Sequence, residues 1–260
     1  MIKPKIFIRF RPGAMGNFIS TLLTSLVREI ELHDPLLGNE FVEGDIPPHN
    51  FEKQYLDEEF EYYTNGKASL ERSINYFRRN FYIRDALSED TFIPVVTHAV
   101  NPQGILLAFD NSKLINIHHT ESETDQIIYN VVIKTITNKY FFVMPILLRR
   151  FKTLHPGKLS TVKSVDKENI HLIMYIYKFL YYHEFEDFVN FTTEYPTFDI
   201  TYKSIVDETI IERLSEIADF IGVDLKKDRH DGTVDIIKKY VAGQQGVVYN
   251  GPPINFNDYD

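Results

Sequence analysis

A three-layer α/β/α fold with a mostly parallel central sheet is the class this sequence predicts, on three observations. The apolar run Ile6-Phe7-Ile8-Arg9-Phe10 meets a glycine-bearing turn and then a helical pattern. Lys113-Leu114-Ile115-Asn116-Ile117-His118 is a short β-branched run that suits a buried parallel strand, and a second helical pattern follows it. Thr197-Phe198-Asp199-Ile200-Thr201-Tyr202 repeats the arrangement before an amphipathic stretch. Strands alternating with helices build βαβ units.

The first strand ends in Arg11-Pro12-Gly13-Ala14-Met15-Gly16-Asn17-Phe18, and from near Ile19 the apolar residues Ile19, Leu22, Leu23, Leu26, Val27 and Ile30 recur at helical spacing. Strand, turn and helix in that order make an anion cradle: glycines let the backbone come close, and the first helical turn has N–H groups without intrahelical acceptors. Arg11, Gly13, Ala14, Met15, Gly16, Asn17 and Phe18 are therefore candidate anion-binding residues. Only two residues separate Gly13 from Gly16 and no Lys-Ser or Lys-Thr follows, so this is not a Walker A loop. A tight turn between a core strand and a core helix would use the same residues.

Next in order, residues 33–50 carry Asp34-Pro35, Gly38-Asn39 and Pro47-Pro48, which is loop chemistry. Residues 51–81 read as an inserted helical arm, with a helix over 69–80. Phe92-Ile93-Pro94-Val95-Val96-Thr97 is the second strand; Pro94 removes a ladder donor, so the strand begins after it or lies near an edge. Helices follow over 125–140 and 169–188. The last is expected over 208–221, with Gly222 as a left-handed stop. The elements over 1–242 read as one domain with that insertion, and 243–260 as a polar tail ordered only if something holds it.

Composition narrows the function. The 260 residues carry a net charge of −9, which argues against sequence-independent binding to nucleic acid, because that binding depends on many Lys and Arg contacts to phosphates. With no cysteine there is no disulfide, thiolate nucleophile or Cys-ligated zinc. Neither a signal-peptide core nor a membrane-length apolar segment is present, so a cytoplasmic protein without a membrane partner is expected. The 20 Phe and 16 Tyr, with no Trp, fill large spaces between elements.

Together the segments from Lys5 to about Asp224 resemble the sulfotransferase family, whose P-loop NTPase-like fold uses phosphoadenosine phosphosulfate (PAPS) as sulfuryl donor. Phe198-Asp-Ile-Thr-Tyr-Lys-Ser-Ile-Val-Asp207 and Ile217-Ala-Asp-Phe-Ile-Gly-Val223 resemble its late strand and following helix. Val95-Val96-Thr97-His98 is similar to its strand ending in Lys-Thr-His, which implies His98 as the base that deprotonates the acceptor. Leu114-Ile-Asn-Ile-His-His-Thr-Glu-Ser-Glu-Thr-Asp125 resembles the strand, turn and helix that grip the donor's 3′-phosphate, which implies His118, His119 and Ser122 as donor-binding residues.

Two departures matter. The family places an Arg after that strand, and this chain has His118-His119 with Glu121 and Glu123 close by. Its loop Lys, which stabilises charge on the leaving oxygen, has no counterpart between Pro12 and Gly16. Adjacent histidines on a strand point to opposite faces, so no metal site is expected.

The resemblance implies a sulfotransferase acting on a small-molecule or glycan acceptor. The missing cations leave a second reading open, a catalytically degenerate member that binds an anion or nucleotide or serves in assembly. A third is another P-loop-like transferase acting on a nucleotide phosphate.

Overall fold

The computed structural model describes residues 5–11, 13–27, 69–79, 94–97, 100–109, 111–137, 139–183, 185–244, 249–257 and 259. His98, Pro12, the loop over 33–50 and the insertion up to residue 68 lie outside the described residues.

The elements run β1 (Lys5–Arg9), α1 (Gly16–Val27), α2 (Leu70–Arg79), β2 (Val95–Thr97), α3 (Gln103–Ala108), β3 (Ser112–His118), α4 (Thr124–Thr137), α5 (Met144–Leu154), α6 (Ile170–His183), α7 (Phe185–Val189), β4 (Thr197–Thr201), α8 (Tyr202–Val206), α9 (Leu214–Ile221) and α10 (Lys227–Gln244). Short 3-10 turns cover Glu121–Glu123, Lys139–Val143 and Thr209–Arg213. The chain folds into two compact units, Met1–His119 with Phe191–Gly246, and Thr120–Asn190 with Val247–Asp260.

The first unit holds the sheet, in the order β2-β1-β3-β4, with every pairing parallel. This is the α/β architecture that the alternating strands and helices predict. The Pro94 argument is met in both its forms: β2 starts at Val95 and, among the described strands, lies at an edge. Ile6, Phe7 and Ile8 of β1 and Leu114, Ile115 and Ile117 of β3 are buried to 2% exposure or less, as strands covered on both faces require. From β1 the chain moves one way along the sheet to β2 and then back past β1 to β3. α1 buries Ile19, Leu22, Leu23 and Leu26, and Phe18 stacks on Tyr240 of α10 at 3.8 Å.

Three of the boundaries that differ from the sequence reading have a local reason. α1 begins at Gly16 rather than near Ile19, because Met15 is left-handed at φ 65° and the Ile19 N–H reaches the Met15 carbonyl at 3.1 Å. β4 stops at Thr201, whose hydroxyl accepts from the Ser204 N–H at 3.1 Å and caps α8. Glu208, at φ 64°, cannot belong to the helix expected from it; a 3-10 turn intervenes before α9.

The expected stop of α9 is present: Gly222 has φ 79° and its N–H bonds the Ala218 carbonyl at 3.0 Å. Since nothing lies within 4 Å of an added Cβ, Gly222→Ala isolates the backbone cost. It is expected to destabilise the protein by about 1 kcal/mol in urea unfolding. An unchanged midpoint would remove that account.

In the second unit the long pattern over 169–188 is two helices, α6 and α7. Aromatic residues supply much of this core: Phe151, Tyr175, Phe179 and Phe256 meet at ring distances of 4.6 to 5.8 Å. They also hold the C-terminal segment. Ile254 is buried, the Tyr175 hydroxyl donates to the Phe256 carbonyl at 3.2 Å, and the Tyr249 N–H donates to Gln126 at 2.9 Å.

Candidate functional site

Strand order reverses direction at β1, because β2 lies to one side of it and β3 to the other. In open parallel sheets the carboxyl ends of such strands form the ligand crevice. The turn after β1 leaves from this point.

The geometry of that turn is constrained. Gly13 is left-handed at φ 89°, Met15 at φ 65°, and the Ala14 N–H closes on the Arg11 carbonyl at 3.0 Å. A left-handed backbone at a residue as bulky as Met costs of order 1 kcal/mol or more, and such strain collects at ligand sites. With Ile19 making the first helical bond, the Gly16, Asn17 and Phe18 amides have no backbone acceptor among the described residues. The side chains of Ala14, Met15 and Phe18 are buried, so their contribution to a ligand would come from the main chain.

Gly16 has a second reason to be glycine. A Cβ there would overlap the ring of Phe10, which is itself buried.

Beside the turn lies a polar row that the sequence reading did not assemble. Arg9, Asn116 and Asp199 are register partners across β1, β3 and β4. Arg9 Nη1 donates to Asn116 Oδ1 at 2.9 Å, Arg9 Nη2 to the Val100 carbonyl at 2.6 Å, and the guanidinium lies over the Phe191 ring at 4.7 Å. Asn116 Nδ2 donates onward to Asp199 Oδ1 at 3.4 Å, and His118 Nε2 meets the same oxygen at 2.5 Å. The signal was one polar residue inside each apolar run; which residues would be neighbours depended on the register.

Electrostatics set this corner apart. Arg9 is fully buried and Arg11 is 2% exposed. Burial pushes the Arg9 guanidinium down to about 9, and the neighbouring charge of Arg11 pushes it the same way. Arg9 and Arg11 thus place two buried like charges, which repel one another, at the carboxyl end of a central strand.

The other expected donor-binding residues are already engaged. His118 faces Asp199, and His119 is buried. In the second unit, Thr120 and Glu123 form a capping box: the Thr120 N–H donates to Glu123 Oε2 at 2.6 Å, and the Ser122 and Thr120 hydroxyls lie 3.0 Å apart. An anion at that helix start would meet the Glu123 carboxylate.

No family model matches the chain, and no curated protein matches it. Among solved structures it is similar to the sulfotransferase domain from the curacin biosynthetic pathway. The alignment has 13% identity, covers 97% of this chain and 94% of that chain, and gives a TM-score of 0.41. A likeness of that size carries no argument about residues or chemistry.

Among the described residues no helix is long and apolar enough by itself to cross a membrane.

Proposed function

We propose that this is a sulfotransferase-like protein that seats the phosphosulfate end of PAPS at the carboxyl end of β1 and transfers its sulfuryl group to a hydroxyl or amine. The observation that carries the reading is the buried pair Arg9 and Arg11 beside the strained 13–18 turn. The Gly16, Asn17 and Phe18 amides contribute main-chain donors, and Arg11 supplies the cation that a loop Lys provides in the family resembled. His98 acts as the base: it takes the acceptor proton as the acceptor oxygen or nitrogen attacks sulfur, while the S–O bond to the donor's phosphate breaks.

Calorimetric titration with PAPS, and with its desulfated product, tests the donor site. One saturable site is expected, lost in Arg11→Met. At about a hundred times Kd the ligand should stabilise the native state by about 2.7 kcal/mol, a rise of several degrees in Tm. Absence of binding to either nucleotide would end the reading.

A second reading, an anion-binding protein without transfer, is favoured by two observations: Glu123 serves the helix start where a 3′-phosphate would be gripped, and His118 faces Asp199. An acceptor screen with a His98→Ala control divides the two. Turnover abolished by the substitution supports transfer, and nucleotide binding without turnover supports the second.

A further inference from the structure

The unit formed by Thr120–Asn190 and Val247–Asp260 carries a cavity of its own, with no residue in common with the 13–18 turn. Its volume of about 540 Å³ falls in the range of small-molecule sites. Phe141, Pro145, Leu148 and Val165 give it apolar walls, and Phe142 stands at its edge, 64% exposed. An aromatic ring at the rim of a hollow gives an apolar ligand body a face to cover.

The charged residues of the lining are Arg149, Lys152 and Lys163, all cations. Lys152 Nζ donates to the Val162 carbonyl at 2.5 Å, which holds the ammonium at the wall with two protons still to give. Among the described residues, neither the Arg149 guanidinium nor the Lys163 ammonium makes an ion pair or hydrogen bond. Asp166 and Glu168 follow Val165 in sequence, but neither lines the cavity. Three like charges around an apolar hollow repel one another, and an oxyanion head would relieve that repulsion while an apolar body covers the aromatic walls.

We propose that this cavity binds an amphipathic anion: a molecule with a linear or aromatic apolar body and one oxyanion head, the head set between Arg149 and Lys163. The occupant is a free molecule rather than a bilayer, because the cations stand around a concave hollow and not along a flat face.

Calorimetry of the full chain with decanoate, below its micelle concentration and without nucleotide, tests this. One saturable site is expected, with decyltrimethylammonium at least tenfold weaker. The double variant Arg149→Glu/Lys163→Glu is expected to lose at least tenfold in decanoate affinity, and Phe142→Ala several-fold. All three positions are exposed, so circular dichroism should stay unchanged. Equal affinity for the cationic analogue, indifference to both variants, absence of saturable binding, or binding to anionic phosphatidylglycerol vesicles but not to decanoate would each overturn the proposal. Displacement of decanoate by adenosine 3′,5′-bisphosphate would also overturn it, by placing the ligand in the nucleotide site.

Discussion

Arg9→Ala is expected to cost about 3–5 kcal/mol of stability, a large fraction of the total that a domain usually has. Arg9 is fully buried on an interior strand, and its guanidinium serves Asn116 Oδ1 and the Val100 carbonyl. Truncation orphans both acceptors, at about 1–3 kcal/mol each, and leaves a cavity beneath Phe191. Arg9→Met separates shape from charge. It keeps most of the volume and removes a desolvated cation that Arg11 repels, but it orphans the same two acceptors, so it should cost about 2 kcal/mol and stay milder than alanine by the cavity it does not leave. The same variant should lose anion-induced stabilisation. Urea unfolding with and without sulfate measures both quantities. An alanine cost under about 1 kcal/mol would show that the polar row does not hold the sheet's end together.

Gly16→Ala is the second large effect, at about 3 kcal/mol or more. Alanine normally favours a helix over glycine by about 1 kcal/mol, so propensity alone predicts a gain. Here the added Cβ would overlap the Phe10 ring, which is 3% exposed and cannot swing into solvent. Overpacking of this kind usually costs 1–3 kcal/mol, roughly, and more when a ring has nowhere to go. The double variant Gly16→Ala/Phe10→Leu should recover at least half of the loss, because the smaller side chain vacates the contested space. Thermal unfolding of the four-member cycle reads the coupling. A mild, additive result would return Gly16 to the role of a glycine needed only for close approach of an anion.

How much was legible in the chain follows from the range of the forces involved. The order of strands and helices could be read because apolar runs and helical spacing are local, and Pro94 correctly pointed β2 to an edge. Gly222 was recognisable because left-handed stops favour glycine. Met15 and Glu208 were missed as breaks, since neither residue type announces a left-handed backbone. The turn after β1 was visible as a candidate anion seat, but its buried charge was not: Arg9 lay inside a strand with no indication of which face it would take.

Local chemistry along the chain therefore settled the class of fold, the four strands and the place of the turn, but not the helices α3, α5 and α10. Folding alone brought Arg9, Asn116 and Asp199 into one row, because sheet register joins residues about a hundred positions apart through hydrogen bonds that no short window contains. It likewise gathered Arg149, Lys152 and Lys163 around one hollow. Periodicity reports which side of an element is apolar; which polar groups from distant segments meet is a property of packing.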